Sequence, residues 1–342
     1  MTTASTHFTA RAPGRVNLIG DHTDYTGGLV LPMTIDRWTV IRGTRGPAGR
    51  DGRVSLVSAD EPEPLRLDLP VTDPAAVEPH WGRYVAGVAA EMADPQPIEG
   101  HITTDIPVGA GLSSSAALEL VAALALGFDG TPTELALLGQ RAEQRASGVP
   151  CGIMDQLCIA AGVVDHALLI DCHSLSVQPV SLPDGIDVVV RFVVHRTLAG
   201  SEYGERVAQC ATAEREIGPL RLATLDTVAT LRDDLIRHRA RHVVTENARV
   251  REFAAAIAVG DLTSAGELMV ASHASLRDDY GTSTAAMDVA VEELMAVPGV
   301  YGARMTGGGF GGCVVALAEP GAITDGWSVR AVDGASITET EY

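Results

Sequence analysis

The chain contains no lysine; all 25 of its basic residues are arginine. A P-loop needs its Gly-Lys-Ser/Thr, a protein kinase its strand lysine and a pyridoxal enzyme its Schiff-base lysine. None of the three can be built here. Cysteine is scarce: Cys151, Cys158, Cys172, Cys210 and Cys313 are an odd number with no C-x-x-C pair. They read as reduced, mostly buried thiols of a cytoplasmic protein. Basic excess is missing too. A net charge of −19 leaves no footprint for nucleic acid or an anionic membrane surface, although glycine-rich loops and helix N-termini still bind phosphate locally. The start, MTTASTHFTAR, has no apolar signal core. The longest apolar run, Leu118 to Phe128, is interrupted by Glu119 and too short to span a bilayer. Only small-molecule partners remain, and the chain is expected to act as a monomer.

What is present is ordinary globular material: 342 residues, 46% hydrophobic and 20% charged. Alternating patterns predict strands at Phe8 to Ala12, Trp38 to Arg42, Val54 to Val57 and Ile98 to Asp105, with a buried strand at Ala167 to Ile170. Helical periodicity is expected over Trp81 to Met92, Ser113 to Leu126, Thr133 to Ala146 and Gly152 to Ala161. The pattern then resets: a strand at Ile186 to Val194, helices from Tyr203, Thr224, Thr245 and Leu262, and a helix over Thr284 to Met295. Strands at Gly299 to Met305 and Cys313 to Leu317 flank a glycine cluster. Ser174 to Gly185, with two prolines, is the expected boundary, dividing the chain into 1–180 and 181–342.

Four stretches could carry chemistry. In PVGAGLSSSAALEL, Pro107 to Leu120, Gly109 and Gly111 allow close backbone approach before three serines open a helix. This is either an anion site, with free N–H groups and a favourable dipole, or a glycine-rich loop with a serine cap. In MTGGGFGGCVVAL, Met305 to Leu317, five glycines in six positions surround one Phe. The stretch is either a hairpin turn or a second loop bracing the first around a polyphosphate. In GVPCGIMDQ, Gly148 to Gln156, Asp155 sits among Ile153, Met154 and Leu157 at a helix start. It is either a solvated helix-end carboxylate or a base kept ionised by a cation, for which Arg15 is the candidate. Asp21, His22 and Asp24 in the opening segment have poor spacing for a metal and suit the hydroxyl pairs of a polyol better.

Taken together these stretches resemble the GHMP small-molecule kinases, and within them the galactokinase branch. GRVNLIGDHTDYTGG resembles the branch's sugar signature, PVGAGLSSSA the ATP motif and MTGGGFGG the third motif. CGIMDQ, LLIDCHSL, LAGSEY, RHVVTENARV and SHASLRDDY are also similar to it. The resemblance implies an α+β fold of two domains, the first like ribosomal protein S5 domain 2 and the second ferredoxin-like. It implies ATP near Trp81, with its phosphates over Gly109, Gly111, Ser113, Ser114 and Ser115, and Mg²⁺ held by Ser115 and Glu143. Asp155 would be the base and Arg15 its partner. Asp21, His22, Asp24, Gly152 and Tyr203 would meet the sugar. The implied reaction is transfer of the γ-phosphoryl group to an anomeric hydroxyl, most simply that of galactose. The alternatives are a kinase for a modified or higher-carbon sugar and a non-catalytic sugar and ATP sensor. The branch signature has Glu where this chain has Asp21. Being one methylene shorter, Asp21 is expected either to draw the backbone in or to enlarge the pocket at the sugar's C6 end.

Overall fold

The computed structural model describes residues 6–46, 52–195 and 199–341. The first five residues of the amino-terminal stretch and Leu198 of LAGSEY lie outside them. The chain opens with β1 (Thr6–Asn17), a two-residue β2 (Leu29–Val30), β3 (Pro32–Arg45), β4 (Arg53–Ser58) and β5 (Leu65–Asp68). Helix α1 (Gly82–Glu91), β6 (Ile98–Thr104) and helices α2 (Ser114–Ala125), α3 (Pro132–Ser147) and α4 (Met154–Ala161) follow. Strands β7 (His166–Asp171), β8 (Ser176–Ser181) and β9 (Asp187–Val194) lead into the helical part: α5 (Ala199–Ile217), α6 (Leu225–Val228), α7 (Asp234–Val259), α8 (Leu262–Ser275) and α9 (Ala285–Met295). The chain finishes with β10 (Val300–Met305), β11 (Gly312–Ala318), β12 (Trp327–Val329) and β13 (Ser336–Glu341).

Three sheets result. The largest has the order β13-β1-β3-β6-β4-β5, a second is β10-β11-β9-β12, and a small third is β2-β7-β8. In β1 the period of two is visible: Phe8, Ala10 and Ala12 are buried while His7 and Arg11 are exposed. From Ala12 onward every residue of β1 is buried. This is also where the register against β3 shifts, between Pro13 and Gly14. Helices α2 and α4 lie on β1 and β3, and α1 and α3 complete the layer. Small residues of α2, Ala116, Ala117, Val121 and Ala123, let it sit close to the sheet. Thr131 and Glu134 form a capping box that starts α3 at Pro132.

The two-part α+β expectation is what the structure has, with three corrections. Residues 176–181, within the expected boundary stretch, form a strand the sequence did not announce, β8, which pairs along β7 from His166↔Ser181 to Asp171↔Ser176. The helix expected from Thr245 begins eleven residues earlier at Asp234, where the Asp233 carboxylate accepts from the Ile236 N–H. Strands β2, β5, β12 and β13 carry too little periodic sequence to be seen alone. Strand β13 pairs along β1 from Thr6↔Glu341 to Arg11↔Ser336, so the end of the chain returns to the first sheet.

Candidate active site

Every residue singled out from the sequence as a site residue lines one cavity of about 640 Å³. Its floor is an ion pair. Arg15, at the buried end of β1, donates from Nε and Nη2 to the two oxygens of Asp155, at 2.8 and 2.7 Å. The pairing is bidentate, the strong form of this contact. Arg15 is only 4% exposed and Asp155 28%, so the carboxylate is the partner that faces the cavity. Burial alone would make the guanidinium easier to deprotonate; Asp155 outweighs it and the net shift is upward. Asp155 is therefore the cation-held carboxylate of the two readings offered by the sequence.

The serine loop is fastened to the same arginine. Arg15 Nη1 donates to the Gly111 carbonyl at 2.7 Å, and the Arg15 N–H to the Leu112 carbonyl at 3.2 Å. Ser113 is not the side-chain cap of α2. It has a left-handed backbone, φ 61°, and its hydroxyl makes a 2.5 Å bond to Asp155 Oδ2. With no side chain capping it, the N-terminal turn of α2 presents its N–H groups beside the cavity-lining Ser114 and Ser115. Ser115 Oγ donates to Glu143 Oε1 on α3 at 3.1 Å. Burial, then Asp155, pushes the Glu143 carboxyl up, against hydrogen bonds from Ser115 and Gln156. Trp81, at the start of α1, lines the cavity with Pro79 and Tyr84, its indole N–H 3.3 Å from the Glu63 carbonyl.

The opening segment divides its three titratable groups. Asp24 faces Gly152, where a Cβ would come within 2.0 Å of Asp24 Oδ2; only glycine permits this approach. The Gly152 loop is held from below by Gln140 and Gln144, which both donate to the Cys151 carbonyl at 3.1 Å. Burial raises the Asp24 carboxyl to about 7, helped by the neighbouring Asp155. His22 Nδ1 is 3.0 Å from the Tyr25 hydroxyl, and its ring lies 5.5 Å from that of Tyr203 and 4.8 Å from that of Tyr280.

Asp21 goes elsewhere. Its Oδ1 accepts from the Gly307 N–H at 2.9 Å, and its Oδ2 lies 2.6 Å from Nη2 of Arg304, off hydrogen-bond alignment. Arg304 is fully buried. It also donates to the Leu18 carbonyl at 3.2 Å and sits 3.8 Å from Glu246. Asp21 still lines the cavity, and of the two expectations, a drawn-in backbone or an enlarged C6 end, the structure adds that both carboxylate oxygens face protein groups.

The third motif is likewise fastened to the opening segment. Thr306 Oγ1 donates to the Asn17 carbonyl at 2.8 Å and the Phe310 N–H to the Thr282 carbonyl at 2.8 Å. Gly307 and Gly308 line the same cavity as the serine loop. The bracing expected between the two loops thus runs through residues 17–21. Arg304, Gln156 and Glu119 were not picked out as site residues. Their signal was a charged or amide group inside an otherwise apolar stretch.

Known proteins have similar sequences and folds. The family models for the GHMP kinases N terminal domain and the GHMP kinases C terminal match residues 83–163 and 253–327. The mevalonate kinase of Methanococcus jannaschii has the same fold, with a TM-score of 0.67 at 18% identity over 97% of each chain. The protein is thus a kinase of the GHMP class. The model of the galactokinase galactose-binding signature matches residues 2–45. Galactokinases of Chloroflexus aggregans and Homo sapiens are 46% and 44% identical, over 91% and 93% of this chain and 83% and 86% of theirs. A Lactococcus lactis galactokinase crystallised with galactose superposes with a TM-score of 0.88 at 32% identity, covering 97% of this chain and 95% of that one. The chain belongs to the galactokinase family, and it is a phosphotransferase.

Proposed function

We propose that the protein phosphorylates galactose at its anomeric hydroxyl, using ATP and Mg²⁺ and releasing galactose 1-phosphate and ADP. The observation that carries this reading is the cavity-facing Asp155, gripped by Arg15 between the sugar signature and the serine loop. Family membership supports galactose as the sugar. The intact Asp155, Arg15, Ser115 and Glu143 favour an enzyme over a sensor. ATP, when bound, supplies the phosphoryl group, and Mg²⁺ neutralises part of its charge.

The residues fit both. The uncapped start of α2 offers N–H groups to phosphate oxygens without any lysine. Ser115 and Glu143 offer the oxygen-only donor set that suits a hard cation. Asp24, His22, Gly152 and Tyr203 would hold the sugar's hydroxyls, and Asp21 would set the wall behind them. An Asp155 oxygen would then take the proton of the C1 hydroxyl as the C1 oxygen bonds to the γ-phosphorus and the bond to the departing ADP oxygen breaks. Arg15 holds the carboxylate through both oxygens and aims it. The direct test is ADP release with a panel of free sugars and phosphorus NMR of the product. Turnover of a higher-carbon sugar in preference to galactose, or phosphate at any carbon but C1, would overturn the proposal.

Asp24 makes the sugar step pH-linked. Its carboxyl, raised to about 7 in the free protein, is partly protonated at neutrality. Sugar hydroxyls donating to it favour the ionised form, so galactose binding at pH 7 should release protons. Calorimetry in buffers of different ionisation enthalpy reads this directly, and enthalpies independent of buffer count against it. Stability follows the opposite sense. The folded value lies above the unfolded one, so Asp24's contribution is full below about pH 4 and lost as pH rises through about 7. Asp24→Asn should flatten that loss.

A further inference from the structure

Three helices meet beneath the Ser115–Glu143 pair, and their junction is polar although buried. Glu119 of α2 and Gln156 of α4 are both 0% exposed. The amide nitrogen of Gln156 donates twice, to Glu143 Oε2 at 2.6 Å and to Glu119 Oε2 at 3.1 Å. Glu143 is therefore held through both oxygens, Oε1 by Ser115 and Oε2 by Gln156. Room for the junction comes from Gly139 on α3. A Cβ there would stand 2.7 Å from Leu120 Cδ1, 3.1 Å from Gln156 Cγ and 3.6 Å from Glu119 Oε2. A buried amide between two carboxylates is an expensive way to pack a core, since apolar side chains would fill the same space without desolvation cost. Gln156 also directly follows Asp155 in the chain, so one turn of α4 carries the carboxylate at the cavity floor and the group that fixes Glu143.

We infer that Gln156 is a positioning residue that holds the Glu143 carboxylate in place for the divalent cation of the nucleotide, with Glu119 anchoring the amide from behind. The inference rests on Glu143 being a metal ligand, as proposed above. Gln156 is 0% exposed and its amide nitrogen reaches Glu143 and Glu119, so it would act through Glu143. Its two amide hydrogens are committed to the two carboxylates, which leaves Glu143 one preferred orientation instead of several. A carboxylate free to rotate would have to be ordered each time the cation arrives.

The test measures Mg²⁺-dependent binding of a non-hydrolysable ATP analogue by calorimetry, beside galactose binding and thermal unfolding. Loss of an outer partner of a metal ligand weakens metal affinity by about 10–100-fold. Gln156→Met should raise the Mg²⁺ concentration for half-maximal analogue binding by that factor while galactose binding stays near wild type. Glu119→Met should give a shift in the same direction. Glu119→Gln retains an acceptor oxygen for the amide and should restore the wild-type requirement. A Gln156→Met protein with an unchanged Mg²⁺ requirement, or one that loses galactose and nucleotide alike, overturns the inference. If Gln156→Met does not fold, the Glu119 pair decides, and equal Mg²⁺ requirements in Glu119→Met and Glu119→Gln overturn it. Glu143→Ala separates the two levels. If it leaves the Mg²⁺ requirement unchanged, the metal role of Glu143 fails; if it raises the requirement and Gln156→Met does not, only the role of Gln156 fails.

Discussion

Asp155→Asn is expected to lower kcat by about 10²–10⁴-fold, the usual contribution of a positioned general base, with little change in ATP affinity. The substitution keeps the shape of the side chain but removes its charge. One of its two terminal atoms becomes an NH₂ group, which can only confront the N–H groups of Arg15 and not accept from them. The bidentate pair of 2.8 and 2.7 Å is thereby halved. The serine loop keeps two fastenings that do not involve Asp155, Arg15 Nη1 to Gly111 and the Arg15 N–H to Leu112, and the Ser113 hydroxyl can pair with either amide atom of Asn, so the phosphate side of the cavity is largely spared. Steady-state kinetics with calorimetric ATP titration checks this. A variant retaining more than half of its kcat rules out the role of Asp155 as base.

The second large effect is on stability. Arg304→Met removes the cation between Asp21 and Glu246, both buried. Glu246 retains the Arg249 guanidinium at 2.7 Å, the Ser272 hydroxyl at 2.5 Å and the Gly20 N–H at 3.0 Å. Those partners help hold its carboxyl at about 2 against the cost of burial. Asp21, whose carboxyl is already pushed up by burial, keeps the Gly307 N–H, Asn17 and the more distant Arg15 but loses the cation beside it. Breaking a buried ion pair from one side costs about 3–5 kcal/mol, most of it the stranded charge. The double variant Arg304→Met/Asp21→Asn should recover a large part of that loss, because Asn still accepts from Gly307 and carries no charge. Chemical unfolding of the two single variants and the double one measures the cycle. The account fails if the Arg304 variant unfolds at the wild-type midpoint, or if the double variant is no more stable than Arg304→Met.

The parts of the site visible in the sequence are those whose signals are local. Glycines at 109 and 111 followed by serines, the run around Asp155 and the opening Asp-His-Thr-Asp are each contained within a few residues. The cavity they share could be inferred only because together they resemble one family. What stayed hidden depends on pairings across the chain. Nothing near Arg304 in sequence announces that it meets Asp21, 283 positions away. Glu119 was legible only as an interruption of an apolar run. Its meaning depends on Gln156, which belongs to a different helix. The same holds for Ser113, whose sequence context predicts a cap. Tertiary contact with Asp155 and a left-handed backbone override that local preference. Strand β8 was missed because Pro179 reads as a breaker, yet β8 lies at the edge of its sheet, where a missing N–H leaves no gap in the ladder.

The return of β13 to β1 has a consequence for how the molecule comes apart. Strand β1 takes one neighbour, β3, from the nearby chain and the other from residues 336–341. The second contact closes a loop of more than 300 residues that encloses the whole four-stranded sheet and its helices. Opening that sheet therefore tugs on the strand covering the edge of the other, and peeling β13 away exposes a row of unpaired N–H and C=O groups on β1. The hydrogen bonds from Thr306 and Gly307 to residues 17 and 21 tie the two bodies a second time. Val188 and Val190 of β9 and Val315 and Leu317 of β11 lie in the same buried cluster as Val16 and Ile35 of the first sheet, so the two sheets are coupled into one cooperative unit, and neither can melt without withdrawing an edge or a buried partner from the other.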